Sequence, residues 1–162
     1  MRNGGFTWIE LVMVLAVIAI LGALAIPGMQ DTTLKKQVRE GLELADVAKK
    51  GVQVAWATAG ELPRNNEEAG VPPKDKIVGN VVKEVEVDHG AIHVTYGNNA
   101  SKAIAGMKVT LRPAVVKDEP TVPIAWICHR VPVPDKMELK GHDRTDIPPK
   151  WLPVECRGKE KS

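Results

Sequence analysis

A single carboxylate, Glu10, stands at the mouth of a run in which Leu11 to Ile26 carry no charged or strongly polar side chain. A charge at the centre of a membrane-spanning segment costs on the order of 2.5–3.5 kcal/mol, and less near the interface, so such a group usually has a partner and a task. The chain opens MRNGG, then FTWIE. Cutting it after Gly5 would create a free amine on Phe6, four residues before Glu10. The two charges would then lie one helical turn apart, placed to neutralise each other within one subunit or across to its neighbour. Pairing of that kind would set the axial register of apolar rods packed side by side.

Elsewhere the residue types offer little chemistry. The two cysteines, Cys128 and Cys156, lie in the last quarter of the chain. If a membrane-targeting segment leads the chain, the rest faces an oxidising compartment, and one Cys128–Cys156 disulfide is the economical reading; two free thiols are the alternative. His89, His93, His129 and His142 lack metal-ligand spacing, and His89 and His93, flanking a turn, are expected on the solvent face. His142, Asp143 and Asp146 read as a solvated charged loop rather than a calcium site. No Gly-rich phosphate loop, GxSxG or HExxH occurs, so no catalytic residue, metal or cofactor is expected. Asn99-Ala100-Ser101 fits a glycosylation acceptor pattern, but such tripeptides are common by chance. The net charge is +2. Residues 1–127 balance to zero and the small excess falls in 128–162, which leaves at most weak contact with nucleic acid.

The elements that must position Glu10 follow from hydropathy. A signal peptide accounts for Arg2 and a small-residue cut within 21–25, and a plain anchor accounts for Phe6 to Met29, but neither accounts for Glu10. From Leu34 the apolar residues Leu34, Val38, Leu42, Ala45, Val52 and Trp56 recur at helical spacing, and Gly60 and Pro63 read as the stop. One helix from Phe6 to Thr58 is expected, apolar all round in its first half and amphipathic in its second. Pro27-Gly28 inside it predicts a kink or local melting. Residues 61–76 read as a loop. Val-rich Ile77–Val87, then runs built on Ile92, Val94 and Tyr96, on Met107, Val109 and Leu111, and on Ile124, Trp126 and Cys128, alternate with period two. That pattern predicts an antiparallel sheet with one buried face, laid against the helix in an α+β arrangement. From His129 onward the chain is proline-rich, charged and aperiodic, unable to build a core of its own.

The run Gly5-Phe6-Thr7-Trp8-Ile9-Glu10, with the apolar stretch ending Ala25-Ile26-Pro27, closely resembles the signature of type IV prepilins. Trp8 stands where that family has an aliphatic residue, and Gly4 where it often has a lysine or arginine. The resemblance implies cleavage after Gly5 by a prepilin peptidase, N-methylation of Phe6, and an assembly role for Glu10. It implies a hinge at Pro27-Gly28, and a C-terminal loop closed by Cys128 and Cys156, which favours a type IVa pilin. The implied organisation is a leader at 1–5, a transmembrane and filament-core helix at 6–30, and a head at 31–162. The head divides into helix 31–59, loop 60–76, sheet 77–128, and disulfide loop and tail 128–162. The implied function is a structural subunit of a surface pilus used for adhesion, twitching motility or DNA uptake. Its partners would be lipid of the bacterial inner membrane as a precursor, the assembly machinery there, and then other copies of itself. A minor pilin or a type II secretion pseudopilin is the alternative, and a membrane-anchored periplasmic enzyme the remote one.

Overall fold

The computed structural model describes Gly5 and residues 7–158, with the side chains of 24–30 outside that description. The chain forms two compact units, residues 1–33 and 34–162. Helix α1 (Trp8–Leu44) supplies the described part of the first unit and opens the second. Helix α2 (Asp46–Ala59) follows after one residue, Ala45, which keeps right-handed backbone angles. Ala45 N donates to the Gly41 carbonyl and Lys49 N to the Ala45 carbonyl, so helical hydrogen bonding passes through the junction. The expected single helix is thus two helices in near-continuation. Gly60, left-handed at φ 70°, ends α2 and donates its N–H to Trp56 O, an end that a side chain at that angle would strain.

In the second unit the helices bury Leu34, Val38, Ala45, Ala48, Val52 and Trp56. These meet an antiparallel sheet in the order β1 (Val82–Asp88), β2 (Ala91–Tyr96), β3 (Lys108–Val115), β4 (Ala125–Cys128). A two-residue strand β5 (Glu138–Leu139) pairs with the far end of β3. Val85 and Val87 sit opposite Val94 and Ile92, and those opposite Val109 and Leu111, so one apolar face runs across three strands. Tyr96 closes that face. Its hydroxyl donates to the Val38 carbonyl at 2.7 Å, fully buried, and burial pushes the phenol's pKa up, so it stays protonated as a donor. Its ring lies so close to α1 that a Cβ on Gly41 would stand 2.4 Å from the hydroxyl and 2.6 Å from Cε1. Only glycine allows the helix this approach.

Two further sequence expectations need correction. The sheet is not buried on one face alone: all six residues of β2 are buried, and six of the eight in β3. His93 is not on the solvent face but wholly buried. The reason is the C-terminal segment, whose residues cross the outward face of β2 and β3. Although aperiodic, it also brings Ile147, Leu152 and Cys156 into the core. Cys156, in the short helix α3 (Val154–Arg157), forms a disulfide with Cys128 at the end of β4.

The edge strand β1 is managed by the loop before it. Buried Asn66 donates through Nδ2 to Val85 O and Pro72 O, and its Oδ1 accepts from Val87 N, so one side chain substitutes for a neighbouring strand.

Gly41→Ala forces overpacking against Tyr96 and is expected to cost about 1–3 kcal/mol, whereas Tyr96→Phe, which removes one buried hydrogen bond, costs about 1 kcal/mol more than its lost contact area. Denaturant unfolding of the detergent-solubilised chain measures both, and equal stability of Gly41→Ala and wild type removes the steric argument. Replacing Cys128 by serine opens a closed loop and is expected to cost about 3–4 kcal/mol and to hasten proteolysis within 129–155; unchanged protease resistance there counts against a stabilising role for the bond.

Candidate functional site

The sequence places its unusual residues at the start of α1, and the local structure shows how they are held. Leu11 N donates to Thr7 O, and Glu10 N donates to Thr7 Oγ1 at 3.4 Å, so Thr7 caps the helix and Glu10 sits at the third helical position. Thr-x-x-Glu is the order of a capping box, and a carboxylate in the first turn also complements the helix dipole. This local role of Glu10 comes in addition to any charge pairing, and the Thr7-x-x-Glu10 spacing carries its signature. Gly5 is exposed. Phe6, assigned cleavage, methylation and charge pairing with Glu10, lies outside the described residues. Pro27 and Gly28 fall within the helical backbone of α1, their side chains outside the description.

What surrounds Glu10 is apolar and uncovered. Every large apolar side chain from Trp8 to Leu21 is exposed, from 46% at Leu11 to 80% at Trp8. At about 1.5–3 kcal/mol for each such side chain moved out of water, the run as a whole is worth tens of kcal/mol, more than the roughly 5–15 kcal/mol that holds an entire domain together. Such a surface is not stable in water and must be covered. Among the described residues no helix is long and apolar enough to cross a membrane. The part of α1 with described side chains before the boundary at 24, from Trp8 to Ala23, rises only about 24 Å at 1.5 Å per residue, short of the ~30 Å of a hydrocarbon core. The expected span over 6–30 extends past it at both ends.

The second unit holds a polar cluster on the outward face of the sheet. Glu86 and Asp88 on β1 both pair with Arg144, and Lys74 bonds Glu86 at 2.8 Å. A hydrogen bond from Lys74 holds the Glu86 carboxyl below its ordinary range, and one from His89 does the same for Asp88. His129 Nδ1 lies 3.3 Å from Asp143 Oδ2. Asp146, grouped in sequence with His142 and Asp143, instead accepts the Lys108 backbone N–H at 2.5 Å. Among the described residues no group of three or more His, Cys, Asp or Glu side chains is placed to hold a metal ion. Asn99 is exposed, its amide bonded to Asn80 Oδ1. These contacts are those of a folded surface whose charges are paired.

Comparison with known proteins agrees with this geometry. The family described as pilin (bacterial filament) matches residues 35–157. The chain is 36% identical over 160 residues to a type IV major pilin protein PilE1 of Neisseria gonorrhoeae, covering 94% of this chain and 86% of that one. It is 35% identical over 162 residues to a fimbrial protein of Neisseria meningitidis, covering 94% and 93%. A type IV major fimbrial protein FimA of Dichelobacter nodosus is 34% identical over 127 residues, covering 66% of this chain and 78% of its own. With the helix, the antiparallel sheet and the Cys128–Cys156 bond all in place, this chain belongs to the pilin family of bacterial filament proteins.

Proposed function

We propose that this protein is a structural subunit of a type IV pilus, built into a cell-surface filament by packing its N-terminal helix against the same helix of other copies. The observation that carries the reading is the uncovered apolar surface from Trp8 to Leu21, with Glu10 in its first turn. Before assembly, lipid of the inner membrane covers that surface, with 6–30 as the spanning segment. In the filament, neighbouring helices cover it. The same side chains serve both states because lipid tails and packed apolar side chains are equivalent solvents for them.

Glu10 decides how the copies align. Removal of 1–5 by a prepilin peptidase leaves an amine on Phe6, which N-methylation leaves cationic. In an apolar surrounding an unpaired carboxylate is costly, so a subunit is stable in the filament only at the height where Glu10 meets an amine. The assembly machinery of the inner membrane would lift subunits into that register, and Pro27-Gly28 would let the helix bend as they pack. A net charge of +2 leaves nucleic acid only a weak, salt-sensitive contact with the finished fibre.

Mass spectrometry of sheared surface fibres is expected to find this protein with N-methylated Phe6 as its first residue; the same terminus with no fibres points to a secretion pseudopilin. Glu10→Ala and Glu10→Gln are both expected to insert in the membrane and to assemble poorly. Glutamine keeps the hydrogen-bonding capacity of a capping box without the charge, so normal fibres from Glu10→Gln would reduce Glu10 to a helix cap.

A further inference from the structure

The outward face of β2 and β3 is closed by residues 143–146, and one buried histidine lies at the centre of the closure. Arg144 N donates to Thr110 Oγ1 at 3.0 Å, Thr110 N to Thr145 Oγ1 at 3.0 Å, and Asp146 N to Lys108 O at 3.1 Å, while Asp146 Oδ1 accepts from Lys108 N. Beneath them His93 Nδ1 lies 2.8 Å from Thr110 Oγ1. Thr110 Oγ1 has two acceptor sites and one proton, so while it accepts from Arg144 N it can either donate to Nδ1 of the neutral ring or accept from it. The other nitrogen, Nε2, is buried without a hydrogen-bond partner among the described residues, with Asp88 Oδ2 3.9 Å away.

We propose that His93 is an acid-operated release for this C-terminal segment: protonating it detaches residues 143–146 from β3 while the helix–sheet core stays folded. A proton taken from solvent leaves both ring nitrogens as donors, Nδ1 toward Thr110 Oγ1 and Nε2 on the side of Asp88. Thr110 Oγ1 must then accept from Nδ1 as well as from Arg144 N, which takes up both of its lone pairs and turns its own proton off the ring. The new charge also faces the Arg144 guanidinium, which holds the segment to Glu86 and Asp88. Charged groups face the imidazole from each side. Asp88 and Glu86 on β1 favour the proton, while Arg144 on the segment and Lys108 on β3 oppose it. His93⁺ therefore competes with Arg144 for Asp88. The movement has anchors on both sides: β5 pairs with β3 at Glu138–Leu139 before the segment, and Ile147, Leu152 and the Cys128–Cys156 bond stay seated after it.

Burial first, and Arg144 second, push the His93 imidazole from 6.5 down to about 4. An opened segment restores the ordinary value, so below 6.5 the open form takes a proton that the closed form refuses until about 4. Closure is therefore fully stable above 6.5 and weakens as pH falls, the open population rising by up to about tenfold per pH unit before levelling near 4.

The test is amide hydrogen exchange of the full chain in detergent micelles, corrected for the intrinsic pH dependence of exchange, alongside NMR titration of the His93 ring. The amides of Lys108, Thr110, Arg144 and Asp146 are expected to lose protection between pH 6.5 and 4 while that of Lys49 in α2 does not, and His93→Gln is expected to flatten the change. Constant protection of the four amides across that window overturns the proposal, as does a loss of protection that persists in His93→Gln. Should His93→Gln fail to fold, the wild-type ring decides: titration near its ordinary value with the four amides still protected also overturns it.

Discussion

The Tyr96 hydroxyl on the Val38 carbonyl, made over the bare backbone of Gly41, is the contact that joins helix to sheet. A helix carries its side chains outward, and an ordinary side chain at position 41 would hold the sheet away by its own width. With glycine there the tyrosine ring lies on the helix backbone, and the hydroxyl finds a carbonyl deep in the core. A buried phenol without a partner costs about 1–3 kcal/mol, so the hydrogen bond fixes where along the helix the ring can sit. Because Tyr96 ends β2, that position sets the register of β2 against α1, and strand pairing passes it on to β1 and β3. The rows Val85–Val94–Val109 and Val87–Ile92–Leu111 then fall over the helical stripe of Val38, Ala45, Ala48 and Val52.

The helical stretch of α1 and α2 is thus asked to work in two solvents. From Leu34 to Trp56 its apolar residues keep to a stripe, since a sheet covers one side and water the other. From Trp8 to Leu21 they occupy the whole circumference, and no part of the second unit is needed to explain them. The difference lies in the expected surroundings, because a helix apolar all round is stable only where every direction is apolar. Lipid and a bundle of identical helices both meet that condition, which is how a filament subunit can leave one for the other.

The C-terminal segment is the other half of the design. It lacks periodicity and is rich in proline and charge, yet it buries Ile147 and Leu152 and covers the face of β2 that the helix cannot reach. Its stretch 143–146 is fastened by polar contacts, to Thr110, Lys108, Glu86 and Asp88. Polar closure is weaker and more sensitive to conditions than apolar packing, and the Cys128–Cys156 bond ties the end of the segment to β4.

The arrangement of one long helical stretch, an antiparallel meander and a covalently closed tail was legible in the sequence, since each rests on local signals: periods of 3.6 and 2, a left-handed Gly60, and two cysteines. The exposed apolar run and the solitary Glu10 were legible for the same reason. The capping role of Thr7 was written there too, in the spacing of Thr7 and Glu10. Tertiary structure alone decided that Gly41 admits Tyr96, that Asn66 stands in for a strand beside β1, and that His93 is buried. Period-two alternation marks one face of a strand as apolar, but it cannot say whether a distant, aperiodic segment will cover the other. His93 and Thr110 became interior residues because Arg144 and Thr145, more than thirty residues further on, return to lie on them, and contacts at that separation leave no trace in local sequence.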